Sequence, residues 1–142
     1  MFKNVSIFVC ILFATTSISC SKNKYKSTAK NFIEYISSDT FRSEDVVFRS
    51  YLSDSFAIPD SILMQIFPSL KQEIKTCNGV KYVDYNKLNA KEKNIELEGI
   101  NKNNIVVVKC NSQIICFILF DKQDKIRSFV TINKNGKRYF VL

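Results

Sequence analysis

This chain of 142 residues contains no histidine, so its five cysteines and thirteen carboxylates carry whatever redox or acid–base chemistry it could perform. The absence of histidine excludes Ser-His-Asp triads, His-ligated zinc and the commonest general base near neutral pH. Cys10, Cys20, Cys77, Cys110 and Cys116 form no C-x-x-C pair, and Gly79, Gly99 and Gly136 are too scattered for a phosphate-cradling loop. Among the carboxylates, Asp45, Asp54 and Asp60 fall in a helical half, and Asp84 stands beside Tyr82 and Tyr85 in a strand. A carboxylate-dependent hydrolase needs two acids held at a set separation. Helix caps and turns account for Asp45, Asp60, Asp121 and Asp124 instead. No catalytic residue, metal site or cofactor is assigned.

Residues 5–14 are almost wholly apolar and follow Lys3. About ten residues rise ~15 Å as a helix, half a ~30 Å hydrocarbon core, which suits the central region of a signal peptide. Ser17-Ile18-Ser19-Cys20 comes next. With a small residue directly before the cysteine, this segment resembles the lipobox of bacterial lipoproteins. It departs from that pattern at Ser17, where the family usually has an aliphatic residue. The resemblance covers about twenty residues and implies that residues 1–19 are cut away, that Cys20 receives diacylglycerol, and that its new amine is acylated. Two or more acyl chains hold a protein stably to a bilayer. An ordinary secretory signal is the alternative, with Cys20 a plain thiol. Residues 20–27 read as the lipidated cysteine and a polar tether carrying Lys22, Lys24 and Lys26. Lipoproteins directed to the surface often carry acidic tracts after the cysteine; this basic stretch points to a periplasm-facing protein.

The net charge is +8. An exported protein seldom meets nucleic acid, so anionic lipid, an acidic partner or simple solubility remain. Arg127, Lys137 and Arg138 interleave with aromatics and form a candidate basic surface, alternatively a solvated outer face. Apart from Cys20, the mature chain holds Cys77, Cys110 and Cys116, an odd number. A three-residue hairpin loop would face Cys110 with Cys116; a two-residue loop would not. Cys77 could instead reach a strand, and buried free thiols are equally compatible.

Residues 28–142 read as one domain, helical first and strand-rich second. Ala29, Phe32, Ile33 and Ile36 share one face of a helix over Thr28–Ser37. Ser43 reads as the cap of a second helix, with Val46, Val47, Tyr51 and Leu52 as its apolar face. Pro59-Asp60 opens a third, which Pro68 should kink or split before Asn78-Gly79 stops it. Strands follow at Val80–Tyr85, Ile95–Glu98, Ile105–Cys110, Ile114–Phe120, Lys125–Asn133 and Lys137–Leu142. Residues 105–120 are apolar on both strand faces, so something besides the helices must cover the second face: a bent-over sheet, a second copy or a ligand. The expected fold is therefore α+β, with N-terminal helices packed on a curved antiparallel meander of about five to six strands. That element order resembles the cystatin-like and nuclear-transport-factor-like folds, which implies a concave pocket.

The function expected is a lipid-anchored binding or interaction domain without enzymatic activity, in the bacterial cell envelope. Its partners are the membrane, through the anchor, and a small-molecule or protein ligand, with a pocket lined by Ile66, Phe67, Val107 and Phe117. A small envelope inhibitor or immunity-type protein is the second reading, and a degenerate carboxylate hydrolase the third.

Overall fold

The computed structural model describes residues 22–142; the expected leader over residues 1–19 and Cys20 lie outside the described residues. The fold is α+β. Helix α1 occupies residues 22–37, α2 Val46–Tyr51 and α3 Asp60–Thr76. The strands are β1 Val80–Asp84, β2 Ile95–Glu96, β3 Ile105–Cys110, β4 Gln113–Phe120, β5 Ile126–Ser128, β6 Thr131–Lys134 and β7 Lys137–Phe140. None of the described helices is long and apolar enough to cross a membrane.

The strands make two sheets, not one curved meander. Four form an antiparallel sheet in the order β1-β3-β4-β5, and three a smaller one in the order β2-β7-β6, with β2 parallel to β7. Alternation along β3 and β4 explains the layering, because successive side chains point to opposite faces. Val106, Val108, Ile118 and Phe120 pack against the helices, while Ile105, Val107, Phe117 and Leu119 pack against Ile95 and Phe140 of the small sheet. The small sheet is thus the cover that the two-sided apolar pattern of β3 and β4 required. The expected strand Lys125–Asn133 is broken where the chain changes sheets. Buried Ser128 turns its hydroxyl onto the backbone of Val130, and local bonds of this kind compete with a strand ladder. Phe129 is consequently core, 3% exposed.

Three helical boundaries also differ from expectation. Residues 22–27 belong to α1 rather than to a tether. Tyr25 extends the stripe of Ala29, Phe32 and Ile36, is only 8% exposed, and stacks on Phe120 with ring centroids 4.7 Å apart. In α2, Asp45 is the N-cap residue in place of Ser43, and Phe48 is the buried face while Val46 and Val47 are exposed. Pro68 does not split α3, which runs through it. The donor it lacks would have served the carbonyl four residues back, at Met64 on the exposed side, where water can serve instead.

The helix-side core is mainly aromatic. Phe32 meets Phe48, Tyr51 and Phe129 at 6.0, 5.6 and 5.2 Å between centroids, and Phe67 joins through Phe41, Phe48 and Phe129. Cys77, the C-cap of α3, is bonded to Cys110 at the end of β3, closing a separation of 33 residues. The β3–β4 loop has two residues, with Asn111 at φ 54°, so Cys110 faces Gln113 and Cys116 faces Val108.

Candidate functional site

A cleft of about 330 Å³ opens between α3 and the two sheets. Ile66, Leu70 and Glu73 come from α3, Cys116 from β4, Thr131 from β6 and Arg138 from β7. Arg138 is aimed inward by alternation, since its neighbours Lys137 and Tyr139 are exposed on the opposite face of β7. Its guanidinium lies over the Phe117 ring, 5.8 Å from the centroid. Among the described residues no carboxylate comes within ion-pair distance of Arg138, and no cation within that distance of Glu73. The cleft therefore mixes apolar side chains with the polar Gln65, Ser69 and Thr131, and carries one cation and one anion, neither in an ion pair. Placed polar groups of this kind are what orient a small ligand in a cleft.

Cys116 is the free cysteine of the described residues. Burial pushes its thiol up to about 12, and the charge of Glu73 adds to that effect. Thiolate is the reactive form, so this sulfur acts as a small hydrophobe in the wall. Native protein at pH 7 is expected to show no Cys116 alkylation by iodoacetamide, and full alkylation once unfolded. Modification in the native state at the denatured rate would mean that the wall is open.

The residues expected to line a pocket are not brought together. Ile66 lines the cleft and Phe67 lines a separate apolar hollow with Phe41, Met64 and Pro68. Val107 and Phe117 are cross-strand partners on the far face of the main sheet, both fully buried, because they alternate with Val108 and Cys116. The proposed basic surface is also dispersed. Lys137 pairs with Glu96 at 2.6 Å, Arg138 turns into the cleft, and Arg127 lines a hollow with Lys122 and Lys125. Arg138 as a cleft residue was missed; the alternation Lys137-Arg138-Tyr139-Phe140 carried the signal.

Comparison with protein-family models, curated proteins and solved structures found no match. The chemistry of the site therefore stands on this chain alone.

Asp45, Asp60, Asp84 and Asp121 are engaged in holding the fold. Asp45 accepts from the Tyr35 hydroxyl at 2.7 Å, Asp60 from Arg49 at 2.6 Å, and Asp84 from Lys26 at 3.0 Å. Asp121 Oδ1 accepts the amides of Gln123 and Lys125, each at 2.9 Å, in the β4–β5 turn. It shares an open hollow with Asp54, but that oxygen is committed to the turn. Burial pushes Tyr82, beside Asp84, up to about 12, with the Glu34 charge adding to the shift. No group of three or more metal-ligating side chains occurs among the described residues.

Proposed function

We infer that this protein is a lipid-anchored component of a bacterial cell envelope, facing the periplasm, whose domain binds a small ligand without transforming it. The observation that carries the binding half is Arg138, a guanidinium lining a cleft of mixed polar and apolar walls with no carboxylate among the described residues within ion-pair distance, Glu73 of the same cleft lying farther off. A partly apolar molecule bearing a carboxylate matches that lining, because planar, bidentate recognition of carboxylates is the particular strength of arginine. The envelope half is supported by Ser17-Ile18-Ser19-Cys20 behind an apolar leader, and by the Cys77–Cys110 disulfide. Disulfides persist in oxidising compartments such as the periplasm and are rare in the cytosol.

Mass spectrometry of protein released from membranes tests both halves. The N-terminal peptide is expected to begin at Cys20 and to carry diacylglyceryl mass, and a Cys20→Ala chain to lack it. In native spectra, folded wild-type protein incubated with envelope extract is expected to retain a small-molecule adduct that Arg138→Gln loses at an unchanged melting temperature. A lipid-free N-terminus sinks the anchor. Adduct-free wild-type protein after that incubation sinks the cleft.

The inhibitor reading draws support from one surface. Met64, 68% exposed, borders the apolar hollow that includes Phe41 and Phe67. An inhibitor using that surface would bind protein, leaving the cleft adduct-free.

A further inference from the structure

We propose that the end of the domain surrounding the start of α1 is a membrane-docking face for anionic phospholipid, which rests on the reading of Cys20 as the anchor. Cys20 lies two residues before the first described residue of α1, a reach of at most about 7 Å. Within α1 the chain is held close behind that point, because the Tyr25 ring is stacked on Phe120 and its hydroxyl donates to the Asp121 carbonyl. Whatever surrounds the start of α1 is therefore brought to the headgroups.

What surrounds it is a closed ring of lysines. Lys26 binds Asp84, which also meets Lys87 at 3.8 Å. Asn86 next to Lys87 donates to Asn103, which follows Lys102. Asn101 and Asn104 border the same hollow as Asp121 and Lys122. Asp124, at the end of that turn, pairs with Lys24 and returns the circuit to α1. With Lys22, Lys125 and Arg127, this end holds seven lysines and one arginine against four aspartates, Asp54, Asp84, Asp121 and Asp124, a surplus of four positive charges. Two of the aspartates, Asp84 and Asp124, are occupied by α1 lysines, while Lys87, Lys102 and Lys122 are exposed on the rim. The opposite end is different in kind: Lys75 there is paired with Asp39, and Lys81 stands at the start of β1, beyond the disulfide.

A lysine held near an anionic surface strengthens partition about fivefold, and the effect decays within a Debye length. Acyl chains alone leave a domain free to tilt; a rim of lysines fixes which side faces down. The docked state places α1 roughly upright and leaves the α3 cleft off the membrane, since Glu73 and Cys116 belong to the other half of the helix-side layer.

The test uses processed protein inserted into vesicles of phosphatidylcholine alone or mixed with phosphatidylglycerol, with lysine acetylation rates read by mass spectrometry. Lys87, Lys102 and Lys122 are expected to be protected several-fold on the mixed vesicles only, with Lys75 and Lys81 unchanged and high salt abolishing the difference. Equal rates on both vesicle types, with lipid mass present at Cys20, overturn the proposal and leave the anchor standing. If that lipid mass is absent, the anchor fails and docking is judged by co-sedimentation of the acyl-free protein. Binding to mixed vesicles, weakened by about two orders of magnitude in Lys87→Glu/Lys102→Glu/Lys122→Glu, keeps the face. No binding, or binding that the triple variant retains, removes it.

Discussion

Replacing Cys77 and Cys110 together by alanine is expected to lower the free energy of unfolding by about 3–4 kcal/mol, the chain-entropy value for a loop of this length. The bond joins the end of α3 to the last residue of β3 across 33 residues, and its Cα atoms sit 5.7 Å apart without help from distant elements. Gly79 at φ 97° turns the chain directly after the helix, and Val80 then pairs with Cys110, so the two sulfurs are delivered by one short turn. The effect is large because a domain of this size holds only about 5–15 kcal/mol in total. Urea unfolding of the wild type and the double variant measures it, and reducing agent is expected to bring the wild type down to the variant. A loss below about 1 kcal/mol would mean that the bond is not constraining the unfolded chain.

The second large effect belongs to Phe117. Truncation to alanine is expected to cost about 3–5 kcal/mol, the range for a fully enclosed aromatic ring. Phe117 is fully buried between the main sheet and the small one, near Tyr85, and carries the Arg138 guanidinium on its face. Its loss therefore empties an interlayer space and removes the support of the cleft cation. The same substitution distinguishes two architectures. A ring lining an open pocket, as the sequence pattern had indicated, would give less than about 1.5 kcal/mol, because water could fill the gap. Chemical denaturation of Phe117→Ala decides between them, with Arg138→Gln as the control that keeps the ring.

How far the sequence carries one towards this fold can be seen in particular residues. Val106 to Val108 and Ile115 to Leu119 are apolar at every position, and that pattern correctly demanded a second covering layer. It could not say that the cover would be Ile95 and Phe140, because β2 is two residues long and its parallel pairing with β7 joins distant segments. Tyr25 carried a legible signal: with Ala29, Phe32 and Ile36 it completes a helical stripe, yet the surrounding lysines made residues 22–27 look like tether. Phe48 was hidden because α2 has only six residues, too few for a helical period to choose between it and Val46 and Val47. Grouping Arg127, Lys137 and Arg138 by charge obscured the alternation that sends Arg138 and Lys137 to opposite sides of β7. Pairing Cys77 with Cys110 needed the loop length of the β3–β4 hairpin, which residue types alone left open.

The early start of α1 has a consequence for how this domain would meet its partners. A flexible leash lets a protein sweep a hemisphere and sample any height above its attachment. If Cys20 is the anchor and the lysine rim docks, as proposed, the domain would instead sweep a flat disc, with each surface patch held at one altitude. On a bilayer, encounters with neighbouring proteins would then occur side by side in the plane, governed by lateral diffusion and surface density. A ligand for the α3 cleft would have to arrive at that cleft's own elevation, either diffusing freely there or handed over by a neighbour of similar stature.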